Sequence, residues 1–145
     1  MKPSSRFVYA LKALVDLTLH QGTGPVTMAV IAKRQGIPVR SLEQLFNRLG
    51  RAGLVIAERG PRGGYRLKRS ADQVSAGDLF ELLERRKVPT VLHTPTSSND
   101  PARAVWRQVE EAVRSTLGAT TLESLAAMVR DQVPGPASHS FTFHI

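Results

Sequence analysis

The sequence contains no cysteine, and this absence excludes disulfide bonds, thiolate metal sites and cysteine-held iron–sulfur clusters. It also lacks any apolar run close to the about 18 residues that a membrane span requires. Lys12 and Asp16 interrupt the segment in which a signal peptide would carry its apolar stretch. We therefore expect a cytoplasmic protein with no membrane partner.

Groups that could catalyse a reaction or hold a metal are also few. The four histidines are scattered, and no two of them have the spacing of a metal site within a helix. The glycines between 60 and 64 do not form a phosphate-binding loop, because they fall in a predicted hairpin rather than between a strand and a helix. We expect no enzymatic activity, no metal and no cofactor.

Positive charge is in excess and is unevenly distributed. The net charge is +8. Residues 1–70 carry 13 Lys and Arg against 3 Asp and Glu, a net of +10, whereas residues 71–145 carry 7 against 9, a net of −2. The whole excess therefore lies in the N-terminal half, which favours a polyanionic partner for that half.

The stretch Leu54–Leu67, LVIAERGPRGGYRL, has the pattern of a tight β-hairpin. A short apolar run leads into a turn rich in glycine and proline, and an aromatic residue follows it. This pattern places Arg59, Arg62 and Arg66 at or beside the tip.

Three helices are predicted before the hairpin, each ended by glycine. Their expected bounds are Ser4 or Ser5 to about His20, Met28 to Gln35, and Pro38 or Val39 to Gly53. The third helix has a buried stripe of Leu42, Leu45, Phe46 and Leu49. The opposite face carries the residue types that bind base edges in the major groove, since Arg pairs with guanine, Gln or Asn with adenine, and Glu with cytosine.

Helix, short turn, helix and hairpin follow one another as in a winged helix-turn-helix. We predict a mainly α fold with a small β-hairpin, followed by a long dimerisation helix. The alternative is a winged-helix adaptor that binds proteins and does not read DNA, but an adaptor has no need of so basic an N-terminal half. The predicted DNA-binding residues are Arg40, Ser41, Glu43, Gln44, Asn47, Arg51, Arg59, Gly60, Arg62 and Gly63.

The C-terminal half has the pattern of further helices. Ser75–Asp78 and Thr120–Glu123 resemble capping boxes, and Asp100 before Pro101 is a strong helix start. Gly118 is expected to end the helix that begins at Pro101. Its apolar residues recur at steps of three and four, which indicates a dimer interface, or alternatively packing within the same domain. The interface residues would be Trp106, Val109, Val113 and Leu117, and the predicted division is 1–87 for DNA binding, 88–100 for a loop, 101–133 for dimerisation and 134–145 for a flexible tail.

Five motifs together resemble the Rrf-two family of bacterial winged-helix regulators, the group of the iron–sulfur cluster regulator. They are RFVYALKALVDLTLHQGTGPV, IAKRQGIPVRSLEQLFNRLGRAGLV, RGPRGGYRL, VSAGDLFELLE and AVWRQVEEAVRSTLGATTLESLA. The resemblance implies a homodimeric regulator of transcription whose third helix enters the major groove and whose wing lies near the minor groove. By position, Arg40, Glu43 and Gln44 match base-facing residues, and Arg59 and Gly60 match wing contacts. Arg62 replaces the usual glycine, and Ser41 replaces a common aromatic residue.

The chain departs from the cluster-binding branch of that family, which carries three cysteines in the loop matching 88–101. No cysteine is present here, and Arg103 stands where a further ligand precedes the Ala-x-Trp motif. A guanidinium has no free lone pair for iron, so we expect no cluster held by the family's ligands. Ser97 and Ser98 lie in that loop, and an engineered replacement of cysteines by serines is the alternative to a natural absence of cysteine. The favoured hypothesis is a repressor or an activator, and the resemblance implies that its signal comes from a partner protein or from a small ligand. A second hypothesis keeps DNA binding and makes the signal a metabolite in a pocket between the dimerisation helix and the DNA-binding unit.

Overall fold

A computed structural model describes residues 2–84 and 100–132 of the chain. The predicted loop over 88–100, apart from Asp100, and the predicted tail over 134–145 lie outside these residues. Six helices and two strands are described, together with short 3-10 turns at Gln21–Thr23 and Ala71–Gln73. They are α1 (Ser5–His20), α2 (Met28–Gln35), α3 (Val39–Arg51), β1 (Val55–Glu58), β2 (Gly64–Leu67), α4 (Ala76–Glu84), α5 (Pro101–Ala119) and α6 (Leu122–Gln132).

Helices α1 and α2 begin and end at the residues that the sequence predicts, whereas α3 ends at Arg51, two residues before the predicted Gly53. The Ser4 side chain accepts a hydrogen bond from the Phe7 N–H at the start of α1, and Thr27 accepts one from Val30 at the start of α2. Gly36 closes α2 in the left-handed conformation, with a φ of 63°, where a side chain would be strained. The chain therefore turns sharply between the short helix α2 and α3.

The predicted hairpin is present, and a third segment pairs with it. β1 and β2 are antiparallel, with Val55 opposite Leu67 and Glu58 opposite Gly64. Val26 forms an isolated bridge to Tyr65, with its N–H 3.0 Å from the Tyr65 oxygen and its own oxygen 2.8 Å from the Tyr65 nitrogen. The segment between α1 and α2 therefore supports β2 along its outer edge.

In the C-terminal half, two predicted helix starts are confirmed and two details are wrong. Asp100 caps α5 by accepting a hydrogen bond from the Ala102 N–H at 2.9 Å, and Pro101 is its first residue. Ser75 and Asp78 form the reciprocal bonds of a capping box, at 3.1 and 2.9 Å. The box that opens α6 joins Thr121 and Ser124, at 3.0 Å in both directions, and not Thr120 and Glu123. The predicted break at Gly118 does not occur, because α5 continues through this glycine to Ala119.

One hydrophobic core lies around α1. Ala10, Ala13, Leu14 and Leu17 are fully buried, and α1 packs against α2, α3, α4, α6 and β2. Helix α6 packs back against α1, and Leu122 joins the same core. The mainly α fold with a small β-hairpin is confirmed.

None of the described helices combines the length and the apolar character needed to cross a membrane.

Candidate nucleic-acid interface

Helix α3 separates an apolar face from a polar face along its whole length. Leu42, Leu45, Phe46 and Leu49 are buried against the core, as predicted. Ser41 is half-buried, and five polar residues of the opposite face are exposed. Among the residues that the structure describes, none of these six side chains takes part in a hydrogen bond or an ion pair. They are Arg40, Ser41, Glu43, Gln44, Asn47 and Arg51.

Arg48, at the flank of this face, has a different role. Its guanidinium Nη2 donates a hydrogen bond to the Leu82 carbonyl oxygen at 3.0 Å. Leu82 belongs to α4. Arg48 therefore ties α3 to α4, and this part of its guanidinium is already hydrogen-bonded within the protein.

The hairpin tip is a tight turn that requires glycine at two positions. The Gly63 N–H donates to the Gly60 carbonyl at 2.9 Å, and Gly60 has a φ of 121°. A Cβ atom at Gly63 would lie 2.4 Å from the Glu58 carbonyl oxygen. Gly60 and Gly63 are therefore needed for the backbone to close.

Two of the three hairpin arginines have a charge that no described residue neutralises. Arg59 and Arg62 are exposed at the tip, and neither has an ion-pair partner within residues 2–84 and 100–132. Arg66 is not at the tip, because it lies within β2 opposite Ile56. Its Nε is 2.6 Å from Glu58 Oε1, a close ion pair without the angle of a hydrogen bond.

An aromatic contact holds the hairpin to α3, and a close backbone approach holds it to the segment between α1 and α2. The Phe46 and Tyr65 rings meet edge to face, with centroids 4.7 Å apart and an interplanar angle of 72°, an arrangement that aromatic pairs favour. A Cβ atom at Gly64 would lie 2.6 Å from the Val26 carbonyl group, so β2 approaches this segment as closely as a backbone can. The two groups of exposed polar residues therefore keep a fixed relation.

A buried carboxylate of α1 that is bonded to α2 was not predicted from the sequence. Asp16 of α1 has no exposed surface. It accepts hydrogen bonds from Arg34 Nε at 2.9 Å, Arg34 Nη2 at 2.5 Å and Gln35 Nε2 at 2.9 Å. Hydrogen bonding to Asp16 raises the pKa of Arg34 above its ordinary value, against the opposing effect of burial, so the guanidinium stays charged. The only sequence signal was a carboxylate within an otherwise apolar stripe.

The predicted dimerisation residues lie along α5, which has no buried residue. Trp106 is 47% exposed and the adjacent Val105 is 57% exposed. Val109 and Val113 are half-buried, while Leu117 packs against the core of the chain. Leu117, at the C-terminal end of the predicted interface, thus contacts its own domain, whereas Trp106 at the N-terminal end is exposed.

Metal-binding and ligand-binding features are scarce in the described part of the chain. Residues 2–84 and 100–132 contain no group of three or more His, Asp or Glu side chains able to hold a metal ion. A shallow depression runs along α5, lined from Ala104 to Arg114 by residues of that helix alone. It does not correspond to the expected pocket between α5 and the DNA-binding unit.

Comparisons with known proteins agree with this architecture. The family model Rrf2, described as an iron-dependent transcriptional regulator, matches residues 3–128. The HTH-type transcriptional regulator IscR of Aliivibrio salmonicida is 36% identical over 137 residues, which cover 92% of this chain and 80% of that protein. The structure of CymR, the global cysteine regulator of B. subtilis, is 35% identical with a TM-score of 0.76, over 88% of this chain and 98% of that one. The structure of T. potens IscR is 31% identical with a TM-score of 0.78, over 97% and 94%. The chain belongs to the Rrf2 family of winged-helix transcriptional regulators.

Proposed function

We propose that this regulator acts as a homodimer that reads a two-fold-related DNA site and represses transcription there. The proposal rests chiefly on the polar face of α3, whose side chains lack partners among the described residues and whose neighbours at the wing are two free arginines. A helix of this kind fits the major groove, and a basic hairpin beside it can reach the flanking backbone.

Each predicted contact follows from the chemistry of its side chain. Arg40 and Arg51 can donate two hydrogen bonds to guanine, and Gln44 or Asn47 can pair with adenine. Glu43 can accept from the amino group of cytosine, and Ser41 at the edge of the face can bond a base or a phosphate. Arg59 would contact phosphates and Arg62 would add its charge at the tip of the wing, while Gly60 and Gly63 would shape the turn that presents them.

The homodimer is supported by the open apolar face of α5. Val105, Trp106, Val109 and Val113 form a continuous surface on a helix of 19 residues without a buried side chain. Such a surface on one protein usually meets a partner, and a second copy would bury it symmetrically. Two reading helices would then face two half-sites of one duplex.

The signal is proposed to be a partner protein or a small ligand rather than a cysteine-held iron–sulfur cluster. The family description names iron, but the residues present do not fit such a cluster because the chain has no cysteine. Arg103 offers no lone pair to a metal. We therefore derive no regulatory step through iron.

Selection of bound duplexes from a randomised library tests this function directly. We expect enrichment of an inverted repeat, and affinity that falls steeply with salt because several phosphates are neutralised. Placing the recovered site over a promoter should reduce transcription in a purified system. Enrichment of no sequence would favour the protein-binding adaptor, and increased transcription would replace the repressor with an activator.

A further inference from the structure

The tip of the wing is a tight turn that carries the exposed side chain of Arg62. Its turn runs over Gly60–Gly63 and is closed by the hydrogen bond of 2.9 Å between the ends. Pro61, in the second position, has its φ fixed near −65°, and no described residue other than glycine has a positive φ. Arg62 in the third position therefore completes a turn of type I geometry. The arginine is carried by a backbone with little freedom to move.

The charge of Arg62 is not used within the described part of the protein. Arg66, only four residues away, is neutralised by Glu58 at 2.6 Å. Arg62 is exposed, with no hydrogen bond or ion pair to residues 2–84 or 100–132. A guanidinium is more weakly hydrated than an ammonium, so it can enter a confined anionic space at low cost.

We infer that Arg62 enters the minor groove beside the sequence read by α3 and selects A·T-rich DNA there. Narrow minor grooves of A·T tracts concentrate negative potential and attract arginine, whereas guanine places an amino group on the groove floor. Because Phe46 and Tyr65 join α3 to the hairpin, the preference should fall at a constant distance from each half-site. The inference rests on the proposed DNA-binding function. It adds a preference for A·T-rich minor grooves, which α3 in the major groove cannot provide.

Selection from a randomised duplex library provides the first test, with wild-type protein and the variants Arg62→Ala, Arg62→Lys and Arg69→Ala. Arg69 is the matched control because it is exposed beside the hairpin and bonds only the Gln73 carbonyl among described groups. Wild type and Arg69→Ala should enrich A·T pairs outside each half-site. Arg62→Ala should lose this enrichment, Arg62→Lys should retain a weaker one, and all four should keep the same central bases.

Base analogues then separate minor-groove from major-groove reading in the selected site. Inosine·C pairs resemble G·C in the major groove but lack the amino group in the minor groove. Replacing the flanking A·T pairs by G·C should weaken wild-type binding about fivefold to tenfold, the scale of one unfavourable base pair, and inosine·C should restore most of it. The affinities of Arg62→Ala for the three duplexes should differ by no more than about twofold, which is well below the cost of an unfavourable base pair.

Each remaining outcome overturns a defined part of the argument. Flanking A·T enrichment that persists in Arg62→Ala, or that is absent in wild type, overturns the role of Arg62 while DNA binding by α3 stands. Inosine·C that binds as weakly as G·C would place the reading in the major groove. A library in which no protein enriches any sequence overturns the proposed function itself.

Discussion

Asp16 is a carboxylate with no exposed surface whose hydrogen bonds from Arg34 and Gln35 join α1 to α2. Replacing it by alanine should destabilise the protein, because Arg34 would lose its partner in a partly buried position. Breaking a buried pair costs about 3–5 kcal/mol, and we expect about 3 kcal/mol because the Arg34 side chain is 34% exposed. The free energy of unfolding in urea measures the effect.

The matched control for that substitution is Arg130→Ala on α6. Arg130 and Glu123 are 2.7 Å apart, but both side chains are nearly half exposed. Surface pairs of this kind contribute about 0–1 kcal/mol, so the loss should be small. Equal losses in the two variants would contradict the structural role of Asp16.

Gln44 is an exposed residue on the reading face of α3 with no described partner. Gln44→Ala should leave the stability unchanged and relax the choice of one base pair per half-site. The expected loss is about 1–3 kcal/mol on the preferred duplex and much less on one substituted at that pair. Titration of both duplexes at one salt concentration measures this difference. An equal loss of affinity for the two duplexes would show that Gln44 contacts a phosphate and does not read a base.

The wing depends on a close backbone approach at Gly63. A Cβ atom there would lie 2.4 Å from the Glu58 carbonyl oxygen and 2.9 Å from that of Gly60. Gly63→Ala should therefore open the turn, destabilise the protein by between about 1 and 3 kcal/mol and weaken DNA binding with it. Urea denaturation and duplex titration measure the two effects.

Gly22 provides the control for the hairpin prediction. A Cβ atom at Gly22 meets nothing within 4 Å, and its φ is not positive. Gly22→Ala should change stability by no more than about 0.5 kcal/mol. Comparable losses at Gly22 and Gly63 would show that the turn does not depend on the absence of a side chain.

Elements governed by local periodicity were predictable from the sequence, and contacts between distant elements were not. The buried stripe of α3 was predicted residue by residue because four apolar side chains recur with helical spacing. The cap of α6 was misplaced because Thr120 and Thr121 both carry a hydroxyl. Thr121 is the residue that caps α6, and it also forms a backbone bridge to Ser75, 46 positions away.

The candidate site shows the same division. The exposed face of α3 and the free arginines at 59 and 62 follow from local pattern. Sequence did not show that Glu58 neutralises Arg66, that Arg48 bonds the Leu82 carbonyl, or that the buried Asp16 pairs with Arg34. These roles depend on pairings in three dimensions, which a periodic pattern does not specify.

At the scale of the whole molecule, the two C-terminal helices lie differently relative to the core. Helix α6 returns to it, with Leu122 and Ala126 fully buried. Helix α5 contacts α4 closely, where a Cβ atom at Gly77 would lie 3.1 Å from the Gly118 nitrogen, but its outer part leaves the core. The basic N-terminal half and the open face of α5 are thus parts of one body, so dimerisation through α5 would fix two DNA-binding surfaces relative to each other.

Trp106→Glu tests this arrangement of the whole molecule. Trp106 is 47% exposed and outside the core, so the fold should persist, as circular dichroism can verify. A buried charge on an apolar interface without a partner is costly, and sedimentation should therefore show a monomer in place of a dimer. Gln108→Glu is the control, because it adds the same charge on the opposite side of α5, at an exposed residue. The monomer should protect one half-site of the selected duplex and bind it more weakly, whereas a dimer that persists in Trp106→Glu would place the interface on another surface.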